Sequence, residues 1–289
     1  MSEFVKRTLS GSVYVACIVG SILWNSFVCC GLFFLIGLLA VNEFHRLVNS
    51  PRTLRVYTIL ATIVLWGMIQ CLAWQTEADI DLKTVAFAFG FVYLPVLVTA
   101  LLDEIWNHSD HPLQNWGNLL ISQIMIAAPL ATLSFLYFLD PMLLLALFVL
   151  IWVNDSGAYC VGSLTAKRPQ GNHKMIPHVS PKKSWEGLFG GVAFTMGAAL
   201  ILNRFGWFDT ITVGQFGKVI ALLFAFLVSA FGTLGDLMES LFKRSIGVKD
   251  SGNFLPGHGG VLDRFDSILL ASPFVTAFCW LCYFAAPLF

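Results

Sequence analysis

Gly117–Asn154 reads GNLLISQIMIAAPLATLSFLYFLDPMLLLALFVLIWVN, and Asp140 is its sole charged residue. A membrane-crossing helix needs about 20 consecutive apolar residues, so this stretch holds two, with Asp140-Pro141 as the break between them. A soluble core helix has no use for such length. The rest of the 289-residue chain agrees: 57% of it is hydrophobic, 12% is charged, and its mean hydropathy is +0.77. Soluble domains carry about 25% charged residues.

Apolar runs bounded by charge predict an all-α, polytopic transmembrane bundle of about nine spans: 10–24, 26–42, 54–75, 84–102, 117–139, 141–164, 185–203, 215–236 and 267–287. Asn25 alone separates the first two, which read equally as one bent helix or two. No repeat or linker interrupts the pattern, so residues 1–289 read as a single integral-membrane domain, with N-terminal spans in 1–140 and catalytic spans and loops in 141–289. Lys6 and Arg7 precede an apolar run that no A-x-A cleavage site follows, and the run is expected to be retained. The seven cysteines are odd in number and lie in apolar stretches, which argues against a disulfide framework, and Cys279 and Cys282 read as helix packing.

Basic residues before the first span and after the second (Arg46, Arg52, Arg55) place both segments in the cytoplasm. Parity then puts the loops 165–184 and 237–266 on that same side. A window from Lys167 to Glu186 and another from Asp236 to Asp266 hold nearly half of the chain's 17 basic and 17 acidic residues. The chain's zero net charge argues against the one-signed basic face of a nucleic-acid binder. The concentration of charge in two windows suits a site for a highly charged substrate.

Ser240–Asp266 reads SLFKRSIGVKDSGNFLPGHGGVLDRFD. Carboxylates suit Mg²⁺, which binds through one or two of them plus substrate phosphates. Glycines let backbone N–H groups approach phosphate oxygens, and Arg and Lys neutralise the remaining charge. Asp236 and Glu239, three apart, share a helix face at the expected end of the eighth span. Asp236 is the first metal-ligand candidate and Asp263 the second. The alternative for Asp236 is an ion pair with Lys243 or Arg244. His258, between glycines, is either catalytic or an ordinary loop histidine.

The run Ser240-x-Phe242-Lys243-Arg244, Lys249-Asp250-x-Gly252, Pro256-x-His258-Gly259-Gly260-x-x-Asp263-Arg264-x-Asp266 resembles the signature of the phosphatidate cytidylyltransferases, or CDP-diacylglycerol synthases. That family joins CTP and phosphatidate to give CDP-diacylglycerol and pyrophosphate, with Mg²⁺ as cofactor. The resemblance implies metal-binding aspartates at Asp236 and Asp263. It also implies a multi-pass protein of a bacterial-type inner membrane, with its active-site loops facing the cytoplasm.

Two further motifs lie upstream. Asn154-Asp155-Ser156-Gly157-Ala158-Tyr159 falls inside an apolar span, where polar groups either serve a site or join helices through Asn154 and Ser156. The family shows a similar Asp-Ser-Gly-Ala-Tyr, which brings Asp155 into the expected site. Ser180-Pro181-Lys182-Lys183-Ser184-Trp185-Glu186-Gly187 opens the seventh span, with Ser184 as its N-cap and Lys182 and Lys183 beside an anion-attracting helix start. The lysines also read as a positive-inside anchor with Trp185 at the interface. This segment is similar to the family's Ser-Pro-Lys-Lys-Thr-x-Glu-Gly, with Ser184 in place of threonine.

The expected chemistry is in-line attack of the lipid phosphate, its own nucleophile, on the α-phosphate of CTP. Catalytic roles fall to Asp236, Asp263, Lys249, Arg264 and His258. Substrate contacts fall to Asp155, Ser180, Lys182, Lys183, Ser184, Lys243, Arg244, Asp250, Gly259, Gly260 and Asp266. The partners are CTP, phosphatidate and the bilayer, with no nucleic acid, and a homodimer is left open. The rival enzyme is a CTP-dependent lipid-alcohol kinase; a transporter with Asp155 and Asp236 on an ion path leaves the glycine-rich basic loop unexplained.

Overall fold

The computed structural model describes residues 3–73, 87, 89–107, 109–212, 214–252 and 259–286. Ten α-helices appear among them: α1 Glu3–Trp24, α2 Ser26–Leu47, α3 Arg52–Ala73, α4 Leu94–Asn107, α5 Pro112–Ser122, α6 Ala128–Leu139, α7 Pro141–Ala166, α8 Trp185–Arg204, α9 Gly217–Ser245 and α10 Leu262–Ala285. Single π-turns, Phe89–Tyr93 and Gln123–Ala127, precede α4 and join α5 to α6. Among the described residues eight helical stretches are long and apolar enough to cross a membrane, and Leu9–Trp24 is a shorter apolar helix. The fold is therefore a polytopic helical membrane protein.

Asn25 settles the first break. Its extended backbone (φ −166°, ψ 169°) cannot continue a helix, and its Oδ1 accepts from Val28 N at 2.9 Å, so it caps α2 and residues 10–42 form two helices. Several boundaries differ from the sequence expectation; the last span begins at Leu262 rather than 267, so Asp263, Arg264 and Asp266 are helical rather than in the loop 237–266. The eighth span does not close at Glu239 but runs to Ser245, so Asp236 and Glu239 are helical as expected, and Lys243 and Arg244 are helical rather than in a loop. No Gly or Pro interrupts 236–245, the Glu239–Lys243 pair at i,i+4 supports the last turns, and Gly247 (φ 74°) ends them. The loop 165–184 contains a two-stranded antiparallel sheet, β1 Lys174–Ile176 and β2 Ser180–Ser184. Glu77, Asp79 and Asp81, between the third and fourth expected spans, and His258 lie outside the described residues.

The chain forms two compact units. The first comprises 1–138 with 250–264, and the second 139–249 with 265–289. In the first, the 112–139 span has 61% of its most apolar window buried against 17% for 89–106, so the former is central and the latter peripheral. Leu54, Ala100 and Leu119 form one core cluster and Ala61, Met68 and Tyr93 another. Polar joints accompany them. Gln123, at the π-turn, donates through Nε2 to Thr62 Oγ1 (3.0 Å) and accepts from Tyr93 OH (3.3 Å). His45 bridges Ser50 Oγ (2.8 Å) and Ser122 Oγ (3.1 Å).

In the second unit α7, α8 and α9 pack as a group. Without a hydrophobic drive inside a bilayer, helices associate by close approach of small residues. An added Cβ would meet Phe194 Cβ at 2.8 Å from Gly157, Val161 Cβ at 2.5 Å from Gly190, and Ala158 O at 3.0 Å from Gly187. Asn154 sits at the centre of the group, where its Oδ1 accepts from Ser229 Oγ at 2.5 Å and from Thr195 Oγ1 at 3.5 Å. It thus joins three helices, while Ser156 is exposed. Gly235 brings α9 against α10, since a Cβ there would meet Asp266 O at 2.6 Å.

Candidate active site

A cavity of about 480 Å³ opens in the second unit. Asp155 and Tyr159 of α7, Lys182, Lys183 and Ser184 of β2, and Thr233 and Asp236 of α9 line it. Both upstream motifs therefore meet the start of the downstream one. Their meeting has local causes. Ser184 (φ −131°, ψ 155°) accepts from Gly187 N at 3.1 Å and caps α8, as expected from its place before Trp185-Glu186-Gly187. Glu186 in the first turn reaches back: both its oxygens accept from His173 N (3.1 and 3.0 Å), and Oε1 lies 2.6 Å from His173 Nδ1. Trp185 N donates to His173 O at 2.9 Å. The hairpin is thus tied to the helix start, and Lys182 and Lys183 stand at the cavity wall. Ser180, paired with Ile176, lies at the other end of β2 and is not part of that wall.

Lys183 carries the main charge contact. Its Nζ lies 2.7 Å from Asp236 Oδ2 and 3.4 Å from Thr233 O, and Ser240 Oγ donates to Asp236 Oδ1 at 3.3 Å. The partner of Asp236 is therefore Lys183, on another element, rather than Lys243 or Arg244. Lys243 is instead buried against Glu239, with Nζ 2.5 Å from Oε2, and Arg244 turns outward to donate to Val248 O at 3.1 Å. Asp266, half-buried at the close approach of α9 and α10, interacts electrostatically with Asp236, Glu239 and Asp155. Lys183 and Lys243 are paired with the first two of these carboxylates. Lys249, the last residue of this unit's central segment, is exposed.

The remaining motif residues belong to the first unit. Asp263 Oδ2 accepts from Gly260 N and Ser251 N, both at 2.8 Å. Gly259 has φ 84°, a left-handed backbone, and a Cβ there would run into the Asp263 carboxylate. Gly260 is packed against Glu43 and Ser251 with no space for a Cβ. Asp250 is exposed and Arg264 half-buried; Arg264 O accepts from Tyr14 OH at 3.3 Å. Glu43 escaped the sequence reading. Its carboxylate accepts from Ser251 Oγ (2.5 Å), Val261 N (2.9 Å) and Leu262 N (3.1 Å). The available signal was an ionisable residue in the last turns of an apolar helix.

For a divalent cation, the two candidate ligands, Asp236 and Asp263, each offer hard carboxylate oxygens. Among the described residues no three or more His, Cys, Asp or Glu side chains converge as a ready-made cation cage.

Known proteins resemble this chain over about half of its length. Phosphatidate cytidylyltransferase of Haemophilus influenzae is 45% identical over 136 residues, 47% of this chain and 45% of that protein. Proteins of the same name from Pseudomonas aeruginosa (45% over 145 residues, half of each chain) and Bacillus subtilis (46% over 127 residues, 44% of this chain and 43% of that one) match similarly. The chain spans about half the length of the curated relatives it matches. The sequence model of the Cytidylyltransferase family matches residues 5–282, nearly the whole chain, and the chain belongs to that family.

Proposed function

We propose that this protein transfers a cytidylyl group from CTP to phosphatidate, giving CDP-diacylglycerol and pyrophosphate in phospholipid synthesis. The observation that carries the reading is the cavity where Lys182 and Lys183 meet Asp155 and Asp236, since it offers cations for a polyphosphate beside carboxylates for a metal. Family membership and the names of the relatives, matched over about half their length, support the substrates.

Phosphatidate brings a phosphomonoester that is largely dianionic near neutral pH, because its second pKa is about 6, so the chain need supply no general base. Its task is to hold two polyanions together and neutralise the departing pyrophosphate. Lys182 and Lys183 hold phosphate oxygens at the cavity, and the start of α8, capped by Ser184, adds its N–H groups. Lys249 and Arg264 neutralise further charge. Among the described residues Arg264 Nε is buried without a hydrogen-bond partner, a donor suited to an oxyanion. Asp236 and Asp263 are the proposed Mg²⁺ ligands, with Asp250 and Asp266 in support. Mg²⁺, when bound, screens phosphate charge and favours in-line displacement. His258, which lies outside the described residues, keeps its proposed place beside the phosphates. The lipid tails stay in the bilayer, which accounts for a catalyst built of spans. The reaction is assigned to the cytoplasmic face of a bacterial inner membrane, where the basic loops belong.

The test is product identity. Purified protein, given CTP labelled in the cytosine, phosphatidate and Mg²⁺, is expected to form labelled CDP-diacylglycerol and release pyrophosphate, and to stop on EDTA addition. Release of CDP from CTP with a lipid alcohol would instead identify a lipid-alcohol kinase. No turnover of CTP with either lipid would overturn the reading.

A further inference from the structure

Glu43 lies in the last turns of α2, in the part of the chain where the sequence offers only hydropathy, and yet its carboxylate is committed to residues more than 200 positions away. Three donors converge on it: Ser251 Oγ, Val261 N and Leu262 N. The last two are N–H groups at the start of α10, which a helix cannot satisfy internally. Helix starts usually take a capping oxygen from the adjoining Ser, Thr, Asp or Asn, and an anion there is also favoured by the helix dipole. Here Val261 precedes the helix and has no such oxygen, so Glu43 supplies it from another helix.

The same contacts reach the motif aspartate. Ser251 stands between the two carboxylates: its hydroxyl donates to Glu43, its N–H donates to Asp263 Oδ2, and its hydroxyl oxygen accepts from Asp263 N at 3.4 Å. Gly260 is the second anchor, its N–H on Asp263 Oδ2 and its Cα too close to Glu43 for a side chain. Both donors that orient Asp263 are therefore held by, or packed on, Glu43. Asp263 in turn stands in the first turn of the helix that Glu43 caps.

We propose that Glu43 is a positioning residue for Asp263: through Ser251, Gly260 and the start of α10 it sets the direction of the aspartate carboxylate. This rests on the reading of Asp263 as a Mg²⁺ ligand. Three acceptor contacts need both carboxylate oxygens. In Glu43→Gln one oxygen becomes an NH₂ that faces a donor, so at least one contact is lost while size and packing are kept.

Two measurements on full-length protein purified in detergent test this. Amide exchange of the 250–264 segment does not depend on catalysis, and the Mg²⁺ concentration for half-maximal CTP turnover reads the aspartate. Glu43→Gln is expected to raise both roughly tenfold to a hundredfold, the range for one hydrogen bond to a charged group. Exchange in the α7 and α8 segments should stay at the wild-type rate. Ser251→Ala leaves Glu43 and its helix contacts intact and is expected to shift both readouts in the same direction, by less. The double variant should fall short of the product of the two single effects, as residues of one network do. Unchanged exchange in both variants would overturn the proposal. So would raised exchange with an unchanged Mg²⁺ requirement when Asp263→Asn does shift that requirement. If Asp263→Asn leaves it unchanged as well, the ligand reading of Asp263 fails first and the proposal falls with it.

Discussion

The two units each hold a motif aspartate, and they hold it by different means. Asp263 is fixed by backbone N–H groups of Ser251 and Gly260, whereas Asp236 is met by the ammonium of Lys183 and the hydroxyl of Ser240. Backbone donors move only if the chain moves, so Asp263 has one direction as long as the turn at 259–260 keeps its shape. A lysine on a flexible stem can leave its partner for another anion without disturbing the fold. The Lys183–Asp236 pair is 23% and 31% exposed on its two sides, a setting in which an ion pair contributes about 0–1 kcal/mol to stability. The first unit's aspartate is built into the architecture, and the second unit's is kept by an exchangeable partner.

The largest effect comes from removing the exchangeable site's carboxylate. Asp236→Asn is expected to reduce CDP-diacylglycerol formation by more than about a hundredfold, beyond the 10–100-fold typical of groups that only support a metal ligand. Its melting temperature in detergent should stay near wild type, and full activity would break the assignment. Next comes the rigid side. Gly260→Ala forces a Cβ onto Glu43 and Ser251 and is expected to cost about 1–3 kcal/mol in a detergent unfolding titration, with activity falling alongside. Unaltered stability would show that the turn yields more than its contacts imply. The smallest stability change belongs to Lys183→Met, within about 1 kcal/mol of wild type because the pair is half-exposed. Its signature is kinetic: the KM for CTP should rise while the fold is unaffected, and a loss of stability larger than that of Gly260→Ala would reverse the contrast.

Much of this was legible in one dimension. The spans 141–164 and 185–203 were expected and α7 and α8 occupy Pro141–Ala166 and Trp185–Arg204, because a 20-residue apolar run bounded by charge has few other uses. Ser184 announced itself as a cap, since a hydroxyl before Trp185-Glu186-Gly187 needs only local geometry. Local rules failed where two outcomes were locally equivalent. Lys243 and Arg244 are the eligible cations for Asp236 by spacing; Lys243, about two turns further along the same helix, pairs instead with Glu239 at the favoured i,i+4 spacing, and Asp236 meets Lys183 from another element. Asn154 reads as either part of the site or a joint between helices, and the structure makes it both, bonded to Thr195 of α8 and Ser229 of α9 and lining the cavity. The end of α9 was placed too early because charge was taken as the end of the helix, although charged residues propagate a helix well once it has left the apolar layer.

The sequence by itself determined the solvent, the class of fold and the chemistry available, because hydropathy and side-chain type are properties of each residue where it stands. Tertiary structure alone decided the partners. Which lysine meets Asp236, and that Glu43 caps a helix beginning 219 residues later, depend on which helices pack together. Such contacts form when an orphaned N–H or carboxylate finds the nearest satisfied geometry in space, and spacing along the chain carries no record of that distance.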